Sequence, residues 1–180
     1  YHLGAQYEQA AATFEEGIRI VTRVPDHRVE SALLWSLGEL RRDLGMFEES
    51  LRLHNRALAL IGNSDPWLRC AVMLSCSKLY RWWGKLHEAE QLAKKAQLLA
   101  GAHDLTLERI AARASLWAIR MHQGRAEEAL AQFEDLIAEL NEQESRAELA
   151  QVYLLAAAAA LLSSDRQAGD HPHGVKDVDH

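Results

Sequence analysis

Three pairs of adjacent carboxylates have the right chemistry for acid–base work: Glu15-Glu16, Glu48-Glu49 and Glu127-Glu128. Such catalysis needs two carboxyls brought together in different environments, so that one keeps its proton while the other gives it up. These pairs instead fall at solvent-facing places of a repeating pattern, which makes them charged faces. The cations are arranged differently. Arg42 and Arg81 share one repeat position, Arg41, Tyr80 and Arg120 share the next, and Lys78 lies one helical turn before Arg81. Together they form a basic track in a chain of net charge −6. Guanidinium forks fit carboxylates and phosphates in bidentate geometry. Such a track would take an acidic peptide segment, a partner domain or a polar ligand. The competing expectation is that Glu39, Asp43 and other acids of neighbouring helices consume these arginines.

The aromatic and imidazole side chains narrow the chemistry further. Trp is the residue most favoured at binding hot spots, and the chain carries Trp35, Trp67, Trp82, Trp83 and Trp117. Trp82 and Trp83 point about 100° apart on a helix, so one is expected in the core and one outside. The repeat alignment turns Trp82 outward. His54 falls in a core position and reads as a packed filler. His122 has no Cys, His or acid at ligand spacing in its helix. His171 and His173, with Asp177, Asp179 and His180, resemble a loose metal-binding tail but read as a polar terminus. No Gly-rich phosphate loop, nucleophile elbow or zinc helix motif is present. The expectation is no catalytic residue, no metal and no cofactor.

The elements that position these residues are set by an internal repeat. Gly45-Met46-Phe47-Glu48-Glu49-Ser50 returns as Gly84-Lys85-Leu86-His87-Glu88-Ala89 and as Gly124-Arg125-Ala126-Glu127-Glu128-Ala129. An earlier copy begins at Ala5, with alanine in the glycine slot. A constant period of about 40 residues means stacked supersecondary units. Each unit reads as two antiparallel helices. Helix A of the second unit starts at the Asp26 cap, with Pro25 breaking the helix before it, and ends at Gly45. Helix B follows to Ile61 and Gly62. The third unit restarts at Asp65-Pro66, turns at Gly84 and runs to Ala100-Gly101. Asp104 opens the next A helix, which ends at Gly124. Helix B of that unit covers about 126–142, and a last helix runs from Ser145 to Ser164. In 126–142 the apolar residues Ala129, Phe133, Leu136, Ile137 and Leu140 form a single helical stripe. Ser50, His54, Ala57, Leu58 and Ile61 occupy the equivalent places in the second unit, and Ala10, Phe14, Gly17, Ile18 and Val21 those in the first. Residues Tyr1-His2-Leu3-Gly4 read as the last turn of a helix whose body is missing, so the chain is expected to be a segment of a longer polypeptide.

Bulk composition limits the partners. A chain with pI near 5.8 has no general attraction for nucleic acid. The longest apolar run, Val152 to Leu162, is well short of the roughly 18 residues of a membrane span. Cys70 and Cys76 lie toward opposite faces of one helix, which favours a reduced, cytoplasmic setting.

Leu37-Gly38, Gly45, Phe47, Ser50 and Ala57 resemble the tetratricopeptide repeat pattern, as do Leu86, Ala89, Ala96, Ala129 and Phe133. The resemblance spans about residues 5–164. The period departs from the family's usual 34, and the closing proline is absent except as Pro25 and Pro66. Long repeats of this kind are similar to those of multidomain bacterial activators, of the maltose-regulon and antibiotic-regulatory types. The resemblance implies an all-α, right-handed superhelix of antiparallel helix pairs over residues 1–164, followed by a polar tail at 165–180. It also implies a concave groove lined by the A helices. The binding positions carried over are Trp35, Glu39, Arg42, Lys78, Arg81, Trp82 and His122. The expected function is a non-catalytic recognition module, as the sensor or interaction domain of a larger transcriptional regulator or signalling ATPase. Its expected ligand is a protein, a peptide or a small-molecule inducer, without nucleic-acid or membrane contact. The alternatives are a stand-alone scaffold and a solenoid that self-associates through its ends.

Overall fold

The computed structural model describes residues 2–23, 26–142 and 146–169. Among them are eight α-helices and no strand: α1 His2–Val21, α2 His27–Asp43, α3 Phe47–Ile61, α4 Pro66–Trp82, α5 Leu86–Ala102, α6 Thr106–His122, α7 Ala126–Glu142 and α8 Arg146–Gly169. The fold is an all-α helical repeat. It divides into two compact units, Tyr1–Leu116 and Trp117–His180.

Local chemistry explains the boundaries. The Asp26 carboxylate accepts from the amides of Arg28 and Val29, and Asp65 accepts from Leu68 with Pro66 in the first turn. At the A-to-B turn Gly45 adopts φ 76°, donating to Arg42, while Met46 donates to Arg41. Gly84 and Gly124 repeat the geometry at φ 80° and 89°. This left-handed closure satisfies the last carbonyls of each A helix.

The structure departs from the sequence expectations at three ends. Helix α1 runs through Ala5, where the repeat predicts a turn, because alanine favours helix and lacks glycine's freedom at positive φ. Gly101 stays inside α5; the left-handed residue is Asp104, at φ 53°, and Leu105 closes the turn onto the Ala100 carbonyl. Asp tolerates that conformation better than most residues. Helix α8 continues through Gly169, past the expected end at Ser164. Pro25 and the histidines at 171 and 173 lie outside the described residues. The two kinds of glycine should respond oppositely to alanine, read as shifts in denaturant midpoint. A Cβ on Gly101 meets nothing within 4 Å, so Gly101→Ala should stabilise by about 0.5–1 kcal/mol. Gly45→Ala, equally unobstructed but held at φ 76°, should cost about 1 kcal/mol.

In the first unit α2 packs on α3, α4 on α5, and the successive A helices α2 and α4 also touch. The core gathers Leu34, Ala57, Ile61, Leu68, Val72 and Cys76. A second cluster unites Cys70, Ala96, Ala100 and Ala112. The apolar stripe of α1 is only half-buried, since among the described residues α2 alone is packed against that helix. In the second unit α7 buries Ala129, Phe133, Leu136 and Leu140, and α8 packs against it with Val152, Ala156 and Ala159.

Candidate functional site

Two A helices of the first unit bring six polar and aromatic side chains together. Helix α2 supplies Glu39, Arg42 and Asp43; α4 supplies Lys78, Arg81 and Trp82. Arg42 is only 3% exposed. Its guanidinium pairs with Glu39 and holds Asp43 at 2.7 Å, both carboxylates from its own helix. From α4 the Trp82 ring faces it, with 4.9 Å between the guanidinium carbon and the ring centre. The ammonium of Lys78 lies 5.3 Å from the same ring centre. Trp82 therefore stands between two cations and is still 46% exposed. Ring quadrupoles attract cations at such distances. Burial, and then the charge of Arg42, pushes the pKa of Lys78 below its ordinary value. The same two causes lower Arg81. The three cations thus crowd one another, and an added anion would relieve that crowding.

These positions differ from the expected track in particular ways. Arg42 is not an exposed anchor: it is buried and engaged by Glu39 and Asp43, as the competing expectation held. Arg41 is drawn into ion pairs with Glu15 of α1 at 3.0 Å and Glu49 of α3 at 3.2 Å, tying three helices together. Those two glutamates therefore do more than coat a solvated face. Trp35 donates its indole N–H to the Ser75 hydroxyl at 2.7 Å and meets Trp67 edge-on at 6.3 Å, so it joins α2 to α4. Trp83, the neighbour of Trp82, is half-buried. It stacks on Tyr80, touches Phe47 and carries the Lys85 ammonium 3.5 Å from its ring centre. His122 lies in the second unit and is exposed there.

Sequence reasoning did not connect His54 to this cluster. The imidazole is fully buried, with Nδ1 3.5 Å from the Ser50 hydroxyl. Its Nε2 has no hydrogen-bond partner among the described residues and lies 3.6 Å from Glu39 Oε1. Burial drives its pKa from 6.5 to about 4, with Arg42 assisting and Glu39 opposing. The available signal was Gly38, which sits opposite and leaves room for the ring. The thiols of Cys70 and Cys76 are free and buried, and burial raises them to about 11 and about 12. Neither forms a thiolate at neutral pH. Among the described residues no cluster of His, Cys, Asp and Glu could hold a metal, and no helix is long and apolar enough to cross a membrane.

Paired antiparallel helices, with a charged aromatic cluster on the A helices, define a helical-repeat protein. The tetratricopeptide repeat family profile matches residues 1–62. No curated protein matches the chain. Among solved structures, the chain resembles a Podosopora anserina protein described as a kinesin light chain with nearly identical TPR-like repeats. The match has 20% identity and a TM-score of 0.62, and covers 93% of this chain and 84% of that one. A point variant of the same protein gives a TM-score of 0.64 at the same identity and coverage. BtubC (BKLC) from P. vanneervenii matches with 19% identity and a TM-score of 0.65, covering 96% of this chain and 76% of that one. At these identities the likeness establishes a shared TPR-like fold.

Proposed function

We propose that the chain is a protein-interaction module whose α2–α4 face binds an acidic segment of a partner protein. Tetratricopeptide repeats commonly bind proteins, and the matched N-terminal repeat and the fold support that general role. The observation that carries the acidic preference is Lys78. Among the described residues it has no carboxylate within ion-pair distance, yet it stands over an exposed Trp82 beside two arginines. Trp82 would bury against apolar parts of the segment, while its carboxylates go to the cation cluster of Arg42, Lys78 and Arg81.

The test is fluorescence anisotropy with labelled Glu/Leu-rich peptides and their Gln-substituted counterparts. Acidic peptides should bind and weaken with salt. Trp82→Ala should cost about 2 kcal/mol, roughly 30-fold in Kd. Equal binding of the uncharged peptides would sink the reading. In this reading the module serves as the sensor or interaction domain of a larger bacterial regulator or signalling ATPase in a reducing, cytoplasmic setting. The long repeat period and the two free buried thiols support that placement.

One observation favours self-association as a second reading. Helix α8 already packs on α7, yet leaves Leu154 73% and Leu161 70% exposed alongside Tyr153. Sedimentation of the wild type against Leu154→Glu would reveal a dimer built on that face. A monomer at all concentrations would discard it.

A further inference from the structure

The arrangement of His54, Glu39 and Arg42 suggests how the proposed acidic-segment site is controlled, and the inference rests on that reading. Glu39 Oε1 carries two relationships at once: it accepts the Arg42 ion pair and lies 3.6 Å from His54 Nε2. That nitrogen is buried without a hydrogen-bond partner, so it is poised to engage the same oxygen. From α2, Glu39, Arg42 and the Trp35 carbonyl face the ring. Its own helix offers Ser50, toward Nδ1. From α4, Cys76 and Lys78 feel the charge of Glu39. Gly38 closes the remaining side, where even a Cβ would come within 2.7 Å of Nε2. Arg42 is covered by side chains of Glu39, Asp43 and Trp82, so a ligand reaches it only when one of them moves.

We propose that His54 is a positioning residue for the anion site: when a carboxylate of the bound segment pairs with Arg42, Glu39 transfers to His54, which takes up a proton from solvent. The charges balance. Before binding, Arg42 is paired with both Glu39 and Asp43 beside a neutral imidazole, and the Asp43 pair is unchanged by the step. Afterwards Arg42 pairs with the incoming carboxylate, and Glu39 pairs with the imidazolium. By linkage, a step that takes up a proton is favoured by falling pH.

The test is calorimetric titration of the full chain with hexaglutamate at pH 5.5 and 7.5, at each pH in two buffers of different ionisation enthalpy. The expected result is net proton uptake on binding and several-fold tighter affinity at pH 5.5. Both should be lost in His54→Gln. His54→Ala serves as a second variant, since Ala93 fills the equivalent position of the next repeat. Binding without proton uptake, or with uptake unchanged in both variants, overturns the transfer to His54 and leaves the acidic-segment reading standing. Absence of hexaglutamate binding at either pH overturns both.

Discussion

Gly38→Ala is expected to destabilise the first unit by about 3 kcal/mol, the upper end of the usual cost of overpacking. The added methyl would lie 2.7 Å from His54 Nε2 and 2.8 Å from its Cδ2, closer than real Cβ atoms come. The ring cannot easily yield, because it is fully buried among α2 and α3 side chains. Moving it would also abandon the Ser50 contact and open a void. The Ser50 hydroxyl donates at 2.8 Å to the Gly38 carbonyl, so the two helices are pinned where the methyl would push them apart. Urea denaturation of Gly38→Ala, His54→Ala and the double variant forms a mutant cycle. The double variant should be more stable than the sum of the singles predicts, because removing the ring makes room for the methyl. Additive losses would mean that Gly38 is required for something other than the ring.

Acidification should remove a similar amount of stability through His54 alone. In the unfolded chain the imidazole titrates near 6.5, whereas in the folded chain burial lowers it to about 4. Between those values the unfolded state binds more protons, so stability falls as pH drops from about 6.5 toward 4 and is flat above. The full loss is on the order of 3 kcal/mol. Asp65, whose pKa is lowered mainly by its cap bond to Leu68, loses its contribution only in a more acid range. Denaturant midpoints at pH 7 and pH 4.5 should therefore differ markedly in the wild type and much less in His54→Gln. A wild type equally stable at both would contradict the buried neutral imidazole.

Much of the fold was legible because its signals are local. Gly45, Gly84 and Gly124 mark turns whose positive φ is a property of the turn itself. Asp26 and Asp65 cap helices through bonds to amides two or three residues away. Gly101 misled for a related reason: a glycine permits a left-handed turn without requiring one, and the chain turned at Asp104. The groove positions carried over from the family resemblance included Arg42, Lys78, Arg81 and Trp82, and these four side chains lie near one another in the structure.

By itself the sequence determined the helices, their turns and the pairing of repeats, because hydrophobic period, caps and left-handed turns depend on residues close along the chain. Only the tertiary structure decided what each polar group does. Arg42 is buried because Trp82, from the next repeat, lies across it while Glu39 and Asp43 fold back onto it. His54 stays neutral because the core formed around it excludes water, and it meets Glu39 because Gly38 lets α3 approach α2. Burial and charge are sums over neighbours distant in sequence, and a repeat period does not encode those sums.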